Sequence, residues 1–354
     1  KLIESLIEDH LFNELKFLTN YPEIIQFQSR IDFFKKNQSK KLSSDSPTSI
    51  HDAIMHALDN PNEEDRRFSF LQLLLGSGNT FRIEVRRSNI LADSYRKLHN
   101  IETKDWLKKF RINYIDEDGV DAGGLRKDWF SSLVKNLFNP NYALFVPSSN
   151  GRAYQPSPSS YVNPEHIEYF TFAGKILARA LIEGITVEAH MTRAFLKQIL
   201  GQQESMSLTD IEDCDESLHQ SFLWILNNDV EPLDMYFTAD FDDMGNHKLI
   251  NLKENGDQIR VTNENKEEFV RLQVNHRLVH QIAQQTKAFL DGFYSLILFE
   301  EIRMFKPDEL NLIICGVPDI DIDDFKQNVK FSGSVYNKNH NVIKMFFRVI
   351  SRWS

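Results

Sequence analysis

Residues 115–129 are IDEDGVDAGGLRKDW, and this stretch decides how the first half of the chain folds. It follows RINYI (111–115), whose alternating polar and apolar residues predict a strand. It precedes an apolar periodicity over 125–137 that predicts a helix. Neighbouring glycines permit a backbone with positive φ, and the aspartates around them can accept hydrogen bonds from nearby amides. We therefore interpret the stretch as an ordered corner between a strand and a helix.

A second strand is predicted upstream, at FRIEV (81–85), after the turn sequence GSGNT (76–80). The two glycines of that turn could suggest a phosphate-binding loop. Such a loop precedes a helix and continues into Gly-Lys-Ser or Gly-Lys-Thr, whereas these glycines precede a strand and no such residues follow. The sequence therefore favours a simple turn.

Composition narrows the class of protein. The 354 residues are 41% hydrophobic, which is enough for a sizeable core, and the net charge of −10 favours a basic protein partner over nucleic acid. The two cysteines, Cys214 and Cys315, have neither disulfide-framework nor zinc-site spacing, so we expect a reducing cytoplasmic or nuclear setting. No apolar run approaches the roughly 18 residues of a membrane span.

Several longer segments then follow the corner in a fixed order. They are LFNPNYALF (137–145), SPSSYVNPEHIEYFTFAGKILARALIEG (157–184), LKENGDQIRVTNENKEEFV (252–270), KAFLDGFYSLI (287–297) and PDELNLIICGVPDIDIDDFK (307–326). In order and spacing, the chain from about residue 24 to its last residue resembles the N-lobe of HECT-type ubiquitin ligases.

The resemblance implies an α+β fold that is mainly helical, with a large helical subdomain, a smaller α/β subdomain and additional N-terminal helices. Residues 1–23 would form a helical lead-in, and 24–335 the N-lobe. Within it we expect an insertion at about 38–80, polar and loop-like near its start, and a conjugating-enzyme-binding subdomain at about 205–294. Residues 336–354 would be the interlobe hinge and the first helix of a truncated C-lobe, a helix with an exposed apolar face.

The function that the resemblance implies is docking of a ubiquitin-conjugating enzyme, so that ubiquitin passes to a C-lobe cysteine and then to a protein substrate. The expected partners are thus a conjugating enzyme, ubiquitin and a substrate, with no nucleic acid, membrane, metal or other cofactor. The alternative is a non-catalytic adaptor that binds a conjugating enzyme or ubiquitin.

The small subdomain of such a lobe carries an apolar groove for a loop of the conjugating enzyme. The chain has 27 phenylalanines, and several lie at helical spacing between residues 218 and 293. The positions that the resemblance assigns to the groove are Leu218, Phe222, Leu233, Met235, Phe289 and Phe293. For each residue taken singly, a place in the core remains an equal alternative.

Neither cysteine suits the catalytic role. Cys214 lies among carboxylates in DIEDCDES, which disfavour a thiolate, and Cys315 ends an apolar run that predicts simple packing. The cysteine of the family lies in a Thr-Cys-Phe-like motif downstream of the hinge, and this sequence contains no such motif. We therefore expect the chain by itself to be inactive in transfer.

Two clusters could suggest metal binding. His276 and His280 have i, i+4 spacing but lack a third ligand, and the aspartates at 319–324 lack the glycine and closing glutamate of a calcium loop. We interpret the first as packing and the second as the entry to a helix.

Overall fold

The computed structural model describes residues 24–43, 80–115, 117, 123–243, 246–316, 325–326, 329 and 340–350. These fall into two compact units, Lys1–Ile314 and Cys315–Ser354. The predicted lead-in, most of the predicted insertion, the hinge and the aspartate run at 319–324 lie outside the described residues.

The elements follow in this order: α1 Phe27–Ser43, β1 Thr80–Val85, α2 Ile90–Leu98, α3 Thr103–Trp106, β2 Lys109–Tyr114, α4 Gly124–Leu137, β3 Phe145–Pro147, β4 Tyr154–Pro156, α5 His166–Ile182, α6 Arg193–Ile199, α7 Leu208–Cys214, α8 Glu216–Asn227, β5 Thr238–Asp243, β6 Asn246–Asn251, α9 Lys266–Leu278, α10 Ala283–Tyr294, α11 Phe299–Ile302, α12 Pro307–Cys315 and α13 Asn341–Ile350. Helices dominate and the sheets have two strands each, which confirms the mainly helical α+β class.

Helix α1 is fixed to the rest of its unit by a buried arginine. The Arg30 guanidinium donates to both carboxylate oxygens of Glu309, at 2.7 and 2.6 Å, and to the carbonyl oxygen of Met304 at 2.6 Å. Phe34, which is 1% exposed, packs edge-on against Phe305. The helix is thereby joined to residues far along the chain.

The polar segment at the end of α1 differs from its prediction as a loop. Residues 37–43 are helical. Asn37 and Gln38 are buried, and the Lys41 ammonium pairs with Glu301 at 2.6 Å. Tertiary contacts therefore hold in a helix a composition that on its own favours a loop.

A parallel βαβ unit ends at Tyr114, and α4 begins at Gly124; residues 116 and 118–122 of the predicted corner lie outside the described residues. Strands β1 and β2 pair in parallel, and both have buried residues at alternate positions, as the sequence predicts. Helix α4 begins directly after Gly123, whose φ of 100° is open to glycine at little cost. Within α4, the Trp129 indole N–H donates to the Ser94 hydroxyl at 2.9 Å, which ties α4 to α2.

The core of the large subdomain lies where α5 crosses α10. A Cβ atom at Gly174 of α5 would collide with the carbonyl oxygen of Phe289, and one at Gly292 of α10 would collide with that of Thr171. Two glycines therefore let the helix backbones approach more closely than side chains allow. Aromatic rings of α6 and α10 continue the core, with the ring centroids of Phe195 and Phe289 5.1 Å apart.

The small subdomain consists of α7, α8, the β5–β6 hairpin and α9, and it has its own apolar core. That core includes Ile211, Phe222, Ile225, Val230, Phe237, Val261, Phe269, Val270 and Val274. A buried ion pair joins the small subdomain to α6: the Lys197 ammonium lies 2.7 Å from the Asp210 carboxylate. The Ser149 hydroxyl also donates to the carbonyl oxygen of Cys214 at 3.1 Å, across to the turn between β3 and β4.

In the second unit, α13 confirms the helix predicted near the end of the chain. Its exposed apolar residues are Val342, Met345, Phe346 and Val349. Among the residues that the structure describes, no helix has the length and apolar character needed to cross a bilayer.

Candidate functional site

An open cleft of about 560 Å³ lies on the small subdomain, between α8, the β5–β6 hairpin and α9. Its apolar lining comes from all three elements and includes Leu218, Phe222, Met235, Leu249 and Phe269, with Tyr236 and Ala239 beside them. Leu249 is 70% exposed, so one wall of the cleft presents apolar surface to solvent. We call this the first cleft.

Local sequence explains how the first cleft forms. The Asp215 carboxylate accepts from the Leu218 amide at 3.0 Å and thereby caps α8. Leu218 and Phe222 then lie one turn apart on the same face of that helix. Met235 follows a short turn after Pro232, and its carbonyl oxygen accepts from the Val261 amide at 2.8 Å, which fixes the extended segment beside α8.

A second cleft of about 720 Å³ adjoins the first. Its apolar lining is Trp224, Ile225, Leu233 and Met235, and Met235 therefore lines both clefts. Trp224 and Leu233 are each 48% exposed. The two clefts therefore meet at Met235, beside α8.

The surroundings of the two clefts are acidic. Four carboxylates line them, those of Asp215, Glu216, Asp234 and Asp240, and Arg277 is the one lining arginine. The Arg277 guanidinium lies 3.9 Å from Asp215 and the Arg260 guanidinium lies 3.1 Å from Asp234, so two of the four carboxylates are already partly matched and Glu216 and Asp240 carry the remaining charge. A partner that brings lysine or arginine to this rim would be attracted by it.

His276 forms part of the lining of the first cleft and is 8% exposed. Burial, together with the nearby His280 and Arg277, lowers its pKa below the ordinary value. The lowered pKa favours the neutral ring at pH 7, so His276 adds no positive charge to the cleft.

The structure brings together four of the six predicted groove residues. Leu218, Phe222 and Met235 line the first cleft, and Leu233 lines the second. Phe222 is itself 4% exposed, so most of its ring also belongs to the subdomain core.

The other two predicted groove residues, Phe289 and Phe293, line neither cleft. Both are fully buried and lie on α10, where their rings stack with centroids 6.0 Å apart. The reason is the close crossing of α5 and α10 at Gly174 and Gly292, which places α10 against α5 in the large subdomain. The predicted subdomain range of 205–294 therefore extends too far, because its last helix packs in the other core.

Sequence reasoning missed Phe269, Leu249 and Trp224. Phe269 lies within 252–270, one of the segments that carried the resemblance, so that segment held a usable signal. Leu249 lies in a hairpin strand and Trp224 one position outside the apolar stripe of α8, and neither position shows a pattern that distinguishes it from ordinary surface.

Cys214 does not have the environment of a nucleophile. Burial raises the pKa of Cys214 to about 12, as expected of a poor nucleophile. Cys315, predicted to pack as a small hydrophobic residue, is half-buried at the end of α12. Among the described residues, no group of three histidines, cysteines or carboxylates is arranged to hold a metal ion.

The first unit is therefore a mainly helical lobe of two subdomains, with an apolar cleft on the smaller one. Residues 131–354 match the HECT-domain (ubiquitin-transferase) family, and the chain belongs to that family.

Three relatives illustrate the similarity. The chain is 36% identical to the E3 ubiquitin-protein ligase TOM1-like of Neurospora crassa, over 94% of this chain and 7% of that protein. It is 38% identical to E3 ubiquitin-protein ligase TOM1 of Saccharomyces cerevisiae, over 81% and 9%. It is 39% identical to E3 ubiquitin-protein ligase HUWE1 of Mus musculus, over 76% and 6%. The chain thus spans less than a tenth of the length of each of these relatives.

Proposed function

We propose that the chain is the docking part of a ubiquitin ligase, and that a ubiquitin-conjugating enzyme binds in the first cleft. The observation that carries the proposal is an apolar cleft, open to solvent, on the smaller subdomain of a HECT-family fold. Members of that family act with ubiquitin, conjugating enzymes and protein substrates. The first cleft offers the apolar surface that such a partner needs.

The cleft suits a partner loop that carries a bulky apolar side chain. Phe222 and Phe269 form a rigid floor because both are packed in the core, and exposed Leu249 forms a wall that would close on the incoming side chain. Burying one such side chain contributes about 1.5–3 kcal/mol. A micromolar complex needs about 8 kcal/mol, so further contacts beyond the floor of the cleft are required.

The chemistry that docking would serve is an exchange of thioesters. The ligase thiolate attacks the thioester carbon between ubiquitin and the conjugating enzyme, a new carbon–sulfur bond forms, and the conjugating enzyme leaves as a thiolate. A substrate lysine amine then attacks the second thioester, the carbon–sulfur bond breaks, the ligase cysteine leaves as a thiolate, and the nitrogen loses a proton as the amide forms. Docking raises the effective concentration of one thiol near the other, which converts a bimolecular exchange into one within a complex.

We further propose that the thiol which accepts ubiquitin is neither Cys214 nor Cys315. Cys214 is 7% exposed, its pKa is raised by burial, and no conjugating enzyme could reach it without unfolding of the small subdomain. Cys315 is the last residue of the apolar helix α12 and, unlike the catalytic cysteine of the family, does not lie in a Thr-Cys-Phe-like motif.

The test is a titration of the chain with a panel of ubiquitin-conjugating enzymes. We expect micromolar binding by the wild type and at least about tenfold weaker binding by Leu249→Asp, because a charge would enter the apolar wall. Met235→Ala should weaken binding to a smaller degree. Leu298→Asp is the matched control, since Leu298 is 62% exposed and lines neither cleft.

Each result has a definite meaning. Binding by the wild type and by Leu298→Asp but not by Leu249→Asp supports docking in the first cleft. Equal binding by all variants places the contact elsewhere and contradicts the proposal, as does the absence of binding across the panel. Phe289→Ala serves as a folding reference, because it should lose about 3–5 kcal/mol of stability as a core residue.

A further inference from the structure

We propose that the open edge of β1 binds an extended acidic segment of a partner protein, which adds to the β1–β2 pair as a third strand. The inference does not depend on the docking of a conjugating enzyme, because both clefts belong to the small subdomain and the β1–β2 pair lies outside it. In this mode of binding, main-chain hydrogen bonds provide affinity and side chains select the sequence.

The register of the β1–β2 pair shows which main-chain groups of β1 are left without a strand partner. Val85 pairs with Tyr114 in parallel, and the Ile115 amide donates to the Val85 carbonyl oxygen at 2.9 Å. The direction of the main-chain groups alternates along a strand, so the amides and carbonyls of Thr80, Arg82 and Glu84 face away from β2. Within the described part of the chain, these outward groups make no hydrogen bond.

The edge is closed at one end by the chain itself. Arg86 continues the extended backbone, with φ −90° and ψ 135°, so its amide is the next to point outward. That amide donates to the Asp93 carboxylate at 3.0 Å, and the Arg86 guanidinium donates to the two oxygens of the same carboxylate at 2.9 and 2.7 Å. The open part of the edge is therefore 80–84, and it begins beside a carboxylate held by one outward amide and one arginine.

The exposed face of the two strands is basic. Arg82, Lys109 and Arg111 are all exposed on this face, and the register places Arg82 directly beside Arg111. Like charges at paired positions destabilise a sheet. None of the three forms an ion pair with a carboxylate among the residues that the structure describes. A carboxylate from an added strand would lie next to Arg82 and offset this repulsion.

The surroundings of the edge have the same sign of charge. Residues 80–111 contain nine lysines and arginines and only four carboxylates, in a chain whose net charge is −10. Three of those carboxylates, in Asp93, Glu102 and Asp105, are already in ion pairs of 2.7 Å. The edge is thus a basic surface on an acidic protein, and it favours an acidic occupant.

The side chains of an added strand would alternate between two environments. Every second one would lie on the face of Arg82 and Arg111, and the others would lie on the face of half-buried Phe81, where α2 packs. The matching occupant therefore alternates acidic and apolar residues.

Affinity for a synthetic peptide is the first test. The probe is a fluorescent eight-residue peptide of alternating glutamate and valine, and binding is followed by fluorescence anisotropy. We expect the wild type to bind it and to reject the peptide with lysine in place of glutamate. Arg82→Glu and Arg111→Glu should each weaken binding by at least about fivefold. Arg271→Glu is the matched control, since Arg271 is exposed on α9 in the small subdomain and should leave binding unchanged.

The main chain of β1 is tested by hydrogen exchange, read by mass spectrometry over 80–85. The amides that face β2 are already bonded, whereas those of Arg82 and Glu84 are expected to exchange fast in the free chain. The acidic peptide should remove this fast phase, because the two amides then donate to it. Two further peptides, N-methylated at either the glutamates or the valines, should differ in affinity, because only one set of amide nitrogens faces β1.

Each contrary result overturns the inference. It is wrong if the acidic peptide does not bind the wild type, or if it binds Arg82→Glu equally well. It is also wrong if an oligonucleotide of the same charge binds as tightly while the two amides stay fast, because the surface is then a general anion site. Slow exchange of these amides in the chain alone would mean that another segment of this chain occupies the edge.

The outcomes are independent of the proposed function. Leu249→Asp should lose the conjugating enzyme and still bind the acidic peptide, so the failure of one proposal is distinguishable from the failure of the other. Thermal unfolding checks that Arg82→Glu and Arg111→Glu are folded, and the exchange measurement on the wild type needs no variant.

Discussion

At the scale of single residues, two glycines control how closely the central helices approach. Gly174 and Gly292 face the partner backbone across the crossing of α5 and α10, and backbone atoms cannot rotate away as the end of a side chain can. A methyl group at either position therefore forces the helices apart or strains the main chain. Their importance comes from their position in the fold, since glycine within a helix is otherwise slightly unfavourable.

We predict that Gly292→Ala lowers the free energy of unfolding by about 1–3 kcal/mol or more, despite the better helix propensity of alanine. Denaturant unfolding of the purified chain measures it. Gly124→Ala is the matched control, because a Cβ atom there has open space and no positive φ is required. A change within about 0.5 kcal/mol is expected for the control. Equal effects of the two substitutions would contradict the close-crossing interpretation.

At the scale of elements, α1 is held to the rest of its unit by the Arg30–Glu309 pair. The Arg30 side chain is 4% exposed and that of Glu309 18%, so removal of one partner leaves a buried charge without its match. Burial alone would raise the pKa of Glu309. Hydrogen bonding and charge from Arg30, with the amide of Lys306, outweigh it and hold the pKa below its ordinary value of 4.5.

This pair predicts that docking of α1 is sensitive to acid. The pKa of Glu309 in the folded protein is lower than its ordinary value of 4.5. Its contribution to the stability of the folded state is therefore complete above pH 4.5 and is lost as the pH falls through the pKa of the folded protein. Glu309→Gln should cost on the order of 2–3 kcal/mol at pH 7. The difference from the wild type should shrink as the pH falls below 4.5.

Unfolding of both proteins across a pH series measures this. Glu300→Gln is the control, because its pair with Arg303 at 3.4 Å is exposed and should contribute less than about 1 kcal/mol. A difference between wild type and Glu309→Gln that stays constant with pH would assign the effect to packing of the side chain instead of its charge.

At the scale of the whole molecule, the sequence predicts local structure better than it predicts which core a residue joins. The strands at 81–85 and 111–115, the helix at 125–137 and the positive φ at Gly123 follow from periodicity and glycine chemistry. Two pairs of residues have the same i, i+4 spacing. The pair Leu218 and Phe222 lines a cleft, whereas the pair Phe289 and Phe293 is buried in the core. Whether such a pair lines a cleft or joins a core depends on contacts between residues distant in sequence, above all those at the crossing of α5 and α10.

Whether a residue lies in a core or at the surface also decides the reactivity of the two thiols. We predict that the chain, mixed with a conjugating enzyme charged with ubiquitin, forms no ubiquitin adduct that a thiol reductant removes. Cys214 cannot supply a thiolate at pH 7–8 with a pKa of about 12, and the attack on a thioester requires one.

Single-turnover reactions resolved by non-reducing electrophoresis measure this, with Cys214→Ala and Cys315→Ala as comparisons. Discharge of the conjugating enzyme at the same rate in all three proteins is expected, because docking does not need either thiol. A reductant-sensitive adduct that disappears in Cys315→Ala would instead make that partly exposed cysteine an acceptor and contradict the assignment.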